Sequence, residues 1–468
     1  MAEVGAQPAD GVARHPTRSS LTDPLVLRWT GVLVLTRAAL ATIVVIALGG
    51  GELDPSRDLL YHFQLAELPF QHLLEPSLPQ YPPLLGLFEA IPYRPLRMLG
   101  VLPPTALRLG AVFWDVAAGW FVLATVSVID RARVPRAALI YACVPLTWIA
   151  SAFFGQDELV GAAFVAAGLW CLAVDRRGAA RVVGVAGLFA AKLLVAPFLV
   201  AMIVSAPRGR RRHEAVVIVG AIAAVALVLQ LLTGSDGLTG QLDYRPEWIT
   251  FSVTPWGWLV GKHLVSSHAA QVAGLALAGV AVGAVLVIAL RRSASAASTV
   301  SSTKAAAVSP AADDGPAATV RVARLTAAQL LAALACLAVV NPEYVTLVAP
   351  ALVVVVAVTG WRHVLWLVGV ALIPWIADGF FAVIRRGPEQ DWPVIGAFTI
   401  DRSHFHTLQD VQLGFAIATS LVFLGLAAAL ADRRPAGPMV PADAARPISV
   451  AVAQPSEDQP SGPLELRN

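Results

Sequence analysis

The side chains best suited to acid–base chemistry lie in one polar interval, Gly51–Pro92, which carries Glu52, Asp54, Asp58, Glu67, Glu75 and Glu89 between apolar stretches. Asp58 opens the run RDLLYHF a few residues past the first apolar segment. A carboxylate so close to a membrane surface can take a proton from a hydroxyl within hydrogen-bond reach. Asp54, beside Pro55, competes for the same role. Cations gather in two later intervals, Arg245, Lys262, His263 and His268 in 234–268, and Arg385, Arg386, Arg402, His404 and His406 in 383–410. Arginine and lysine form charge-assisted hydrogen bonds with phosphate oxygens, so these intervals suit an anionic ligand. They equally suit plain solvated loops, with Trp248, Trp256, Trp258 and Trp392 as an interfacial belt.

Three shorter motifs join them. QYPPLL, at 80–85, places Pro82 and Pro83 where a helix begins, with Tyr81 as an interfacial anchor. GQDE, at 155–158, forms a tip between two apolar segments, where the polar residues can cap the next helix. NPEYVTLVAP, at 341–350, is a comparable turn. Within the apolar segments, Arg37, Arg108, Asp115, Lys192 and Asp378 are costly in lipid unless paired, and Arg37 with Asp115 is the expected structural pair.

The elements that must position these groups are membrane helices. The chain has 468 residues, 57% hydrophobic and only 14% charged, too few charges to wet the surface of a soluble protein of that size. Apolar runs at 27–49, 104–129, 137–154, 158–174, 182–205, 214–233, 269–290, 323–340, 343–360, 364–382 and 411–431 are long enough to enter a bilayer, and a weaker one covers 84–99. The fold expected is an all-α polytopic transmembrane bundle of about ten spans plus a re-entrant helical hairpin, with helices in its extracytoplasmic loops.

The hairpin is placed at 182–205, because both its flanks are basic and Lys192 and Pro197 interrupt it. The segment 84–99, with Glu89, Arg94, Arg97 and two prolines, reads as interfacial. Basic connectors at RARVPR, DRRGAAR and RGRRRH place those turns, and both termini, in the cytoplasm. The expected domains are an N-terminal tail over 1–26, a transmembrane domain over 27–431 and a tail over 432–468. Residues 293–320 form a Ser/Ala-rich cytoplasmic linker expected to be disordered. The polar N-terminus is not a signal peptide, so the first apolar segment is expected to remain as an anchor. Cys143, Cys171 and Cys336 sit inside apolar runs with no disulfide or metal spacing; a net charge of +3 says little about partners by itself, and no nucleic-acid partner is expected.

Taken in order, an aspartate and a tyrosine in the first outer loop, YPPL, GQDE, AAKLLVAPFL and NPEYVTLVAP resemble the GT-C glycosyltransferases, and among them the actinobacterial polyprenol-phosphate-mannose-dependent mannosyltransferases. The resemblance covers about residues 27–431. It implies a plasma-membrane enzyme moving a sugar from a polyprenyl-phosphate donor to a glycolipid or glycan acceptor at the extracytoplasmic face, among membrane lipids. Asp58 would be the catalytic base. Tyr61, Tyr81 and Gln156 would line the cavity, and Arg245, Lys262, His263 and Arg402 would hold the donor phosphate. Here Asp58 and Tyr61 are spaced D-L-L-Y where the family often has D-x-x-x-Y, so Asp54 stays in contention. No metal or other cofactor is expected, since phosphate is already a fair leaving group. The alternative is a polytopic transporter or lipid flippase, whose usual inverted repeats are missing from this sequence.

Overall fold

The computed structural model describes residues 20–47, 62, 65–68, 82–143, 145, 147–155, 157–234, 238, 254–302, 315–340, 342–359 and 405–432. Among these residues every regular element is helical and there is no strand. The α-helices are α1 (Pro24–Ala47), α2 (Leu85–Met98), α3 (Pro103–Ile129), α4 (Val134–Cys143), α5 (Glu158–Ala173), α6 (Arg177–Ala190) and α7 (Ala196–Ser205). They continue as α8 (Arg211–Thr233), α9 (Pro255–Gly261), α10 (Ser267–Ser302), α11 (Gly315–Cys336), α12 (Ala349–Thr359) and α13 (Phe405–Asp432).

Six helical stretches among the described residues are long and apolar enough to cross a membrane: Pro24–Ile46, Pro103–Ile129, Arg211–Thr233, Ser267–Arg291, Gly315–Cys336 and Leu413–Asp432. The other four expected spans fall short of this length measure or lie outside the described residues. Helix α5 has 16 residues, about 24 Å at 1.5 Å per residue, short of the hydrocarbon thickness. The run 137–154 is split between α4 and a π-helical turn at Ile149–Phe154, and the run 364–382 lies outside the described residues. The run 182–205 is likewise two helices, α6 and α7, parted at Ala191–Val195.

Glycine lets those two helices touch as the chain doubles back. A Cβ on Gly184 would stand 2.5 Å from Leu199 and 3.1 Å from Phe198, and one on Gly187 would stand 3.3 Å from Val195. Helices α5, α11 and α12 form the apolar centre of the bundle: Val165, Leu169, Leu330, Leu331, Val354 and Val356 are buried there.

The Ser/Ala linker is shorter than expected. Helix α10 continues to Ser302 and α11 starts at Gly315, with Ala318 and Thr319 buried. Alanine has the highest helix propensity, which extends both helices into a segment whose polarity alone suggests disorder. Residues 303–314 lie outside the described residues.

Contacts fix two opposite ends of the bundle. At one, Asp23 accepts hydrogen bonds from Ser127 (3.0 Å) and Arg131 (2.8 Å), Arg133 donates to the Ala357 carbonyl (3.3 Å), and Trp170 donates to Ser20 (2.8 Å). Arg181 and Glu214 pair close by in sequence to this end, at 2.8 Å. The other end holds the turns before α5, after α6 and before α12.

Candidate functional site

At that second end, five ionisable side chains from four separate parts of the chain form one buried group. Each is placed by a local device. Gly155 takes a left-handed conformation, φ +62°, which ends the π-helical turn and starts α5 with Asp157 and Glu158 at its first turn. Lys192 follows the end of α6, where the helix dipole favours a cation, just as the start of α5 favours carboxylates. Glu89 sits in α2 one turn ahead of Pro92. Proline has no N–H for the Phe88 carbonyl, and the Trp114 indole donates to that oxygen instead, at 3.2 Å. His62 belongs to the first polar interval.

His62 Nδ1 lies 2.8 Å from Glu89 Oε1, and its Nε2 lies 3.9 Å from Asp157 Oδ1. Lys192 Nζ donates to Asp157 Oδ1 at 3.3 Å and also to Glu158 Oε1. The same ammonium stands 4.7 Å from the centre of the Tyr344 ring, a cation–π contact. His62, Glu89, Asp157 and Glu158 are all buried, while Lys192 is partly open. Beneath them Leu85, Val160 and Ala190 make an apolar floor with Phe88, Trp114 and Phe164. Burial resists a charge on His62, but the Glu89 and Asp157 carboxylates outweigh it and hold its pKa up to about 9. At neutral pH the group therefore sets two cations against three carboxyls.

Helix α2 is the platform for the polar interval. Arg94 Nε donates to the Ala66 carbonyl at 3.1 Å, and Arg94 also donates to the Leu68 carbonyl. Tyr93 donates to Glu67 at 2.7 Å, and Arg97 pairs with the same carboxylate at 3.5 Å. These contacts explain why a segment this polar interrupts the apolar pattern at 84–99. Backbone contact with α6 is direct too, since Leu84 N–H donates to the Phe189 carbonyl at 3.0 Å.

Of the residues expected at the site, Asp58, Tyr61, Tyr81, Gln156, Arg245 and Arg402 lie outside the described residues, as does Asp54. Lys262 follows α9 and lies 5.9 Å from the Trp258 ring. His263 is exposed in a left-handed conformation, φ 57°, and its N–H closes the helix on the Val260 carbonyl at 2.9 Å. Helix α9 rests on the end of α11 through Trp256, which donates to the Cys336 carbonyl at 2.9 Å. The described contacts join neither Lys262 nor His263 to the buried group. Asp157 precedes α5 but makes no side-chain cap bond; its carboxylate faces Lys192 and His62 instead. Sequence reasoning passed over His62 and Tyr344, and it named Glu89 only as one of six carboxylates of the polar interval. The available signal was Lys192, an ammonium in an apolar run that requires counter-charges, with GQDE as their nearest source.

A second polar network lies deeper. Arg37 Nε donates to Asp115 Oδ2 at 2.7 Å, and Asp115 also accepts from Tyr141 at 2.8 Å and Ser151 at 2.9 Å. Arg37 Nη2 reaches the Tyr141 carbonyl (3.0 Å) and Thr147 Oγ1 (3.1 Å). The network ties α1, α3, α4 and the π-helical turn together, as the expected pairing required. Among the described residues no group of three or more His, Cys, Asp or Glu side chains is arranged to hold a metal ion.

Comparison with protein-family models, curated proteins and solved structures finds no match to this chain.

Proposed function

We propose that the chain is a membrane glycosyltransferase of the GT-C kind, moving a hexosyl group, mannosyl by the resemblance, from a polyprenyl phosphate to an extracytoplasmic hydroxyl. One observation carries the reading. The motifs that resemble that family, RDLLYHF, YPPL, GQDE, AAKLLVAPFL and NPEYVTLVAP, are scattered over nearly 300 residues of sequence, roughly two domain lengths, yet their described parts meet at one end of the bundle. The opposite end carries Arg131, Arg133, Arg176, Arg177 and the RGRRRH run, which by the positive-inside rule faces the cytoplasm. The site then faces outward across the plasma membrane.

The chemistry suits these groups. An ionised carboxylate, Asp58 or Asp54, takes the acceptor's hydroxyl proton while the oxygen attacks the anomeric carbon from the face opposite the phosphate. The bond to the phosphate oxygen breaks, its electron pair leaves with the polyprenyl phosphate, and the configuration inverts. Cations at Arg245, Lys262, His263 and Arg402 stabilise the growing phosphate charge. Tyr61, Tyr81 and Gln156 would hold the sugars, and holding donor and acceptor together supplies much of the rate. No metal or cofactor step is required.

The test is to incubate membranes from an overexpressing strain with labelled polyprenyl-phosphate sugars and identify the labelled product. Asp58→Asn is expected to abolish transfer in folded protein, and Asp54→Asn to spare it; the reverse moves the base four residues upstream. Solute counterflow in proteoliposomes lacking any polyprenyl donor supports the transporter or flippase reading instead.

A further inference from the structure

The buried group has a geometry that the proposed chemistry does not use. We infer that His62 is a positioning residue: bridging Glu89 on α2 and Asp157 at the start of α5, it fixes the polar interval that bears the base against the turn held by Lys192. The inference rests on the glycosyltransferase reading for its catalytic consequence, and on distances and burial for its structural one.

Connectivity comes first. Asp58 lies four residues before His62, and a chain spans at most about 3.6 Å per residue, so the Cα of Asp58 stays within about 14 Å of that of His62. Whatever pins His62 limits where the carboxylate can go. His62 has 2% of its surface exposed, with both ring nitrogens facing carboxylates of different helices. By contrast, the Arg97–Glu67 pair of this interval is open to solvent and correspondingly weak.

Charge comes second. The groups facing His62 and one another are Glu89 from α2, Asp157 and Glu158 from α5, Lys192 after α6 and the Tyr344 ring before α12. Glu89 Oε2, Asp157 Oδ2 and Glu158 Oε2 are buried with no hydrogen-bond partner among the described residues. Three carboxyls share one imidazolium and one ammonium. Removing the imidazolium charge leaves Glu89 and Asp157 buried and underpaired, which forces them to take up protons or separate. Either response releases the interval from α2 and α5. A ring filling space alone predicts neither.

The test compares wild type, His62→Gln and Glu89→Gln in detergent or nanodiscs, with Arg131→Gln at the opposite end as a control. Transfer is measured from labelled polyprenyl-phosphate mannose to acceptors in added membrane lipid, and hydrogen exchange is followed over residues 50–62. His62→Gln is expected to lower kcat by tenfold or more, with the donor KM changed by less than threefold, and to speed exchange over that interval. Wild-type kcat is expected to fall as pH rises through about 9, where the imidazolium is lost, and His62→Gln to lack that limb. Active wild type with unchanged kcat and exchange in His62→Gln overturns the inference. If wild type transfers no sugar, the glycosyltransferase reading fails, and hydrogen exchange alone decides whether His62 positions the interval. If His62→Gln does not fold, exchange in wild type across pH 7–10, divided by the intrinsic base-catalysed rate at each pH, decides: a rise confined to this interval supports the inference and a flat profile overturns it.

Discussion

Arg37 Nε and Asp115 Oδ2 are 2.7 Å apart, with side chains 1% and 0% exposed, in the middle of two helices otherwise built for lipid. Desolvating both charges is expensive, and the surrounding donors and acceptors offset the cost only while both partners are present. Arg37→Met is therefore expected to destabilise the protein by about 3–5 kcal/mol, because Asp115 is left buried without its cation. The double variant Arg37→Met, Asp115→Leu should recover part of that loss. Thermal unfolding in detergent of the two single variants and the double variant checks it, and a strictly additive double variant would break the argument.

Helix α10 contains its own control for close packing. A Cβ on Gly274 would stand 2.7 Å from the Ala338 backbone nitrogen and 3.2 Å from the Cys336 carbonyl, whereas Gly279 faces open space. Backbone cannot swing aside as a side chain can. Gly274→Ala is expected to cost about 1–3 kcal/mol, through forced separation of α10 from the end of α11. Gly279→Ala, in the same helix, should gain about 0.4–1 kcal/mol by narrowing the unfolded ensemble. Opposite shifts in Tm for the two variants are the outcome to look for.

His62 makes stability depend on pH with a definite sign. Its pKa is about 9 in the folded protein against 6.5 for a free imidazole, so folding binds its proton more tightly. The contribution is complete below pH 6.5, declines as pH rises, and is gone above about 9. For a shift of this size it is on the order of 3 kcal/mol. Wild-type Tm is expected to fall relative to His62→Gln between pH 6.5 and 9, and parallel curves would show that the imidazole is neutral throughout.

Much of this architecture was legible in the residues alone. Long apolar runs make helices in any surroundings, so α1, α3, α8 and α10 appear close to where hydropathy puts them. The break at Lys192 was visible too, because basic flanks on both sides of one short segment are hard to reconcile with a single crossing. The Arg37–Asp115 pair followed from the cost of lone charges in lipid. The meeting of His62, Glu89, Asp157, Glu158 and Lys192 was not legible, since it depends on how α2 lies against α5 and α6. No periodicity within one segment encodes that. Asp157 illustrates the limit: its position before a helix suggests a cap, and only the neighbouring Lys192 and His62 show a different role.

The orientation of the bundle is testable without any substrate. The positive-inside rule puts RGRRRH in the cytoplasm, and Lys262, beyond α9, at the opposite face. Arg208 is exposed and Lys262 is partly so, and either can be replaced once Cys143, Cys171 and Cys336 have been removed. In intact cells Lys262→Cys is expected to react with a membrane-impermeant maleimide, while Arg208→Cys reacts only after the membrane is opened. The glycosyltransferase proposal needs Lys262 on the outer side. The reversed labelling pattern would place the buried carboxylates toward the cytoplasm and overturn that proposal.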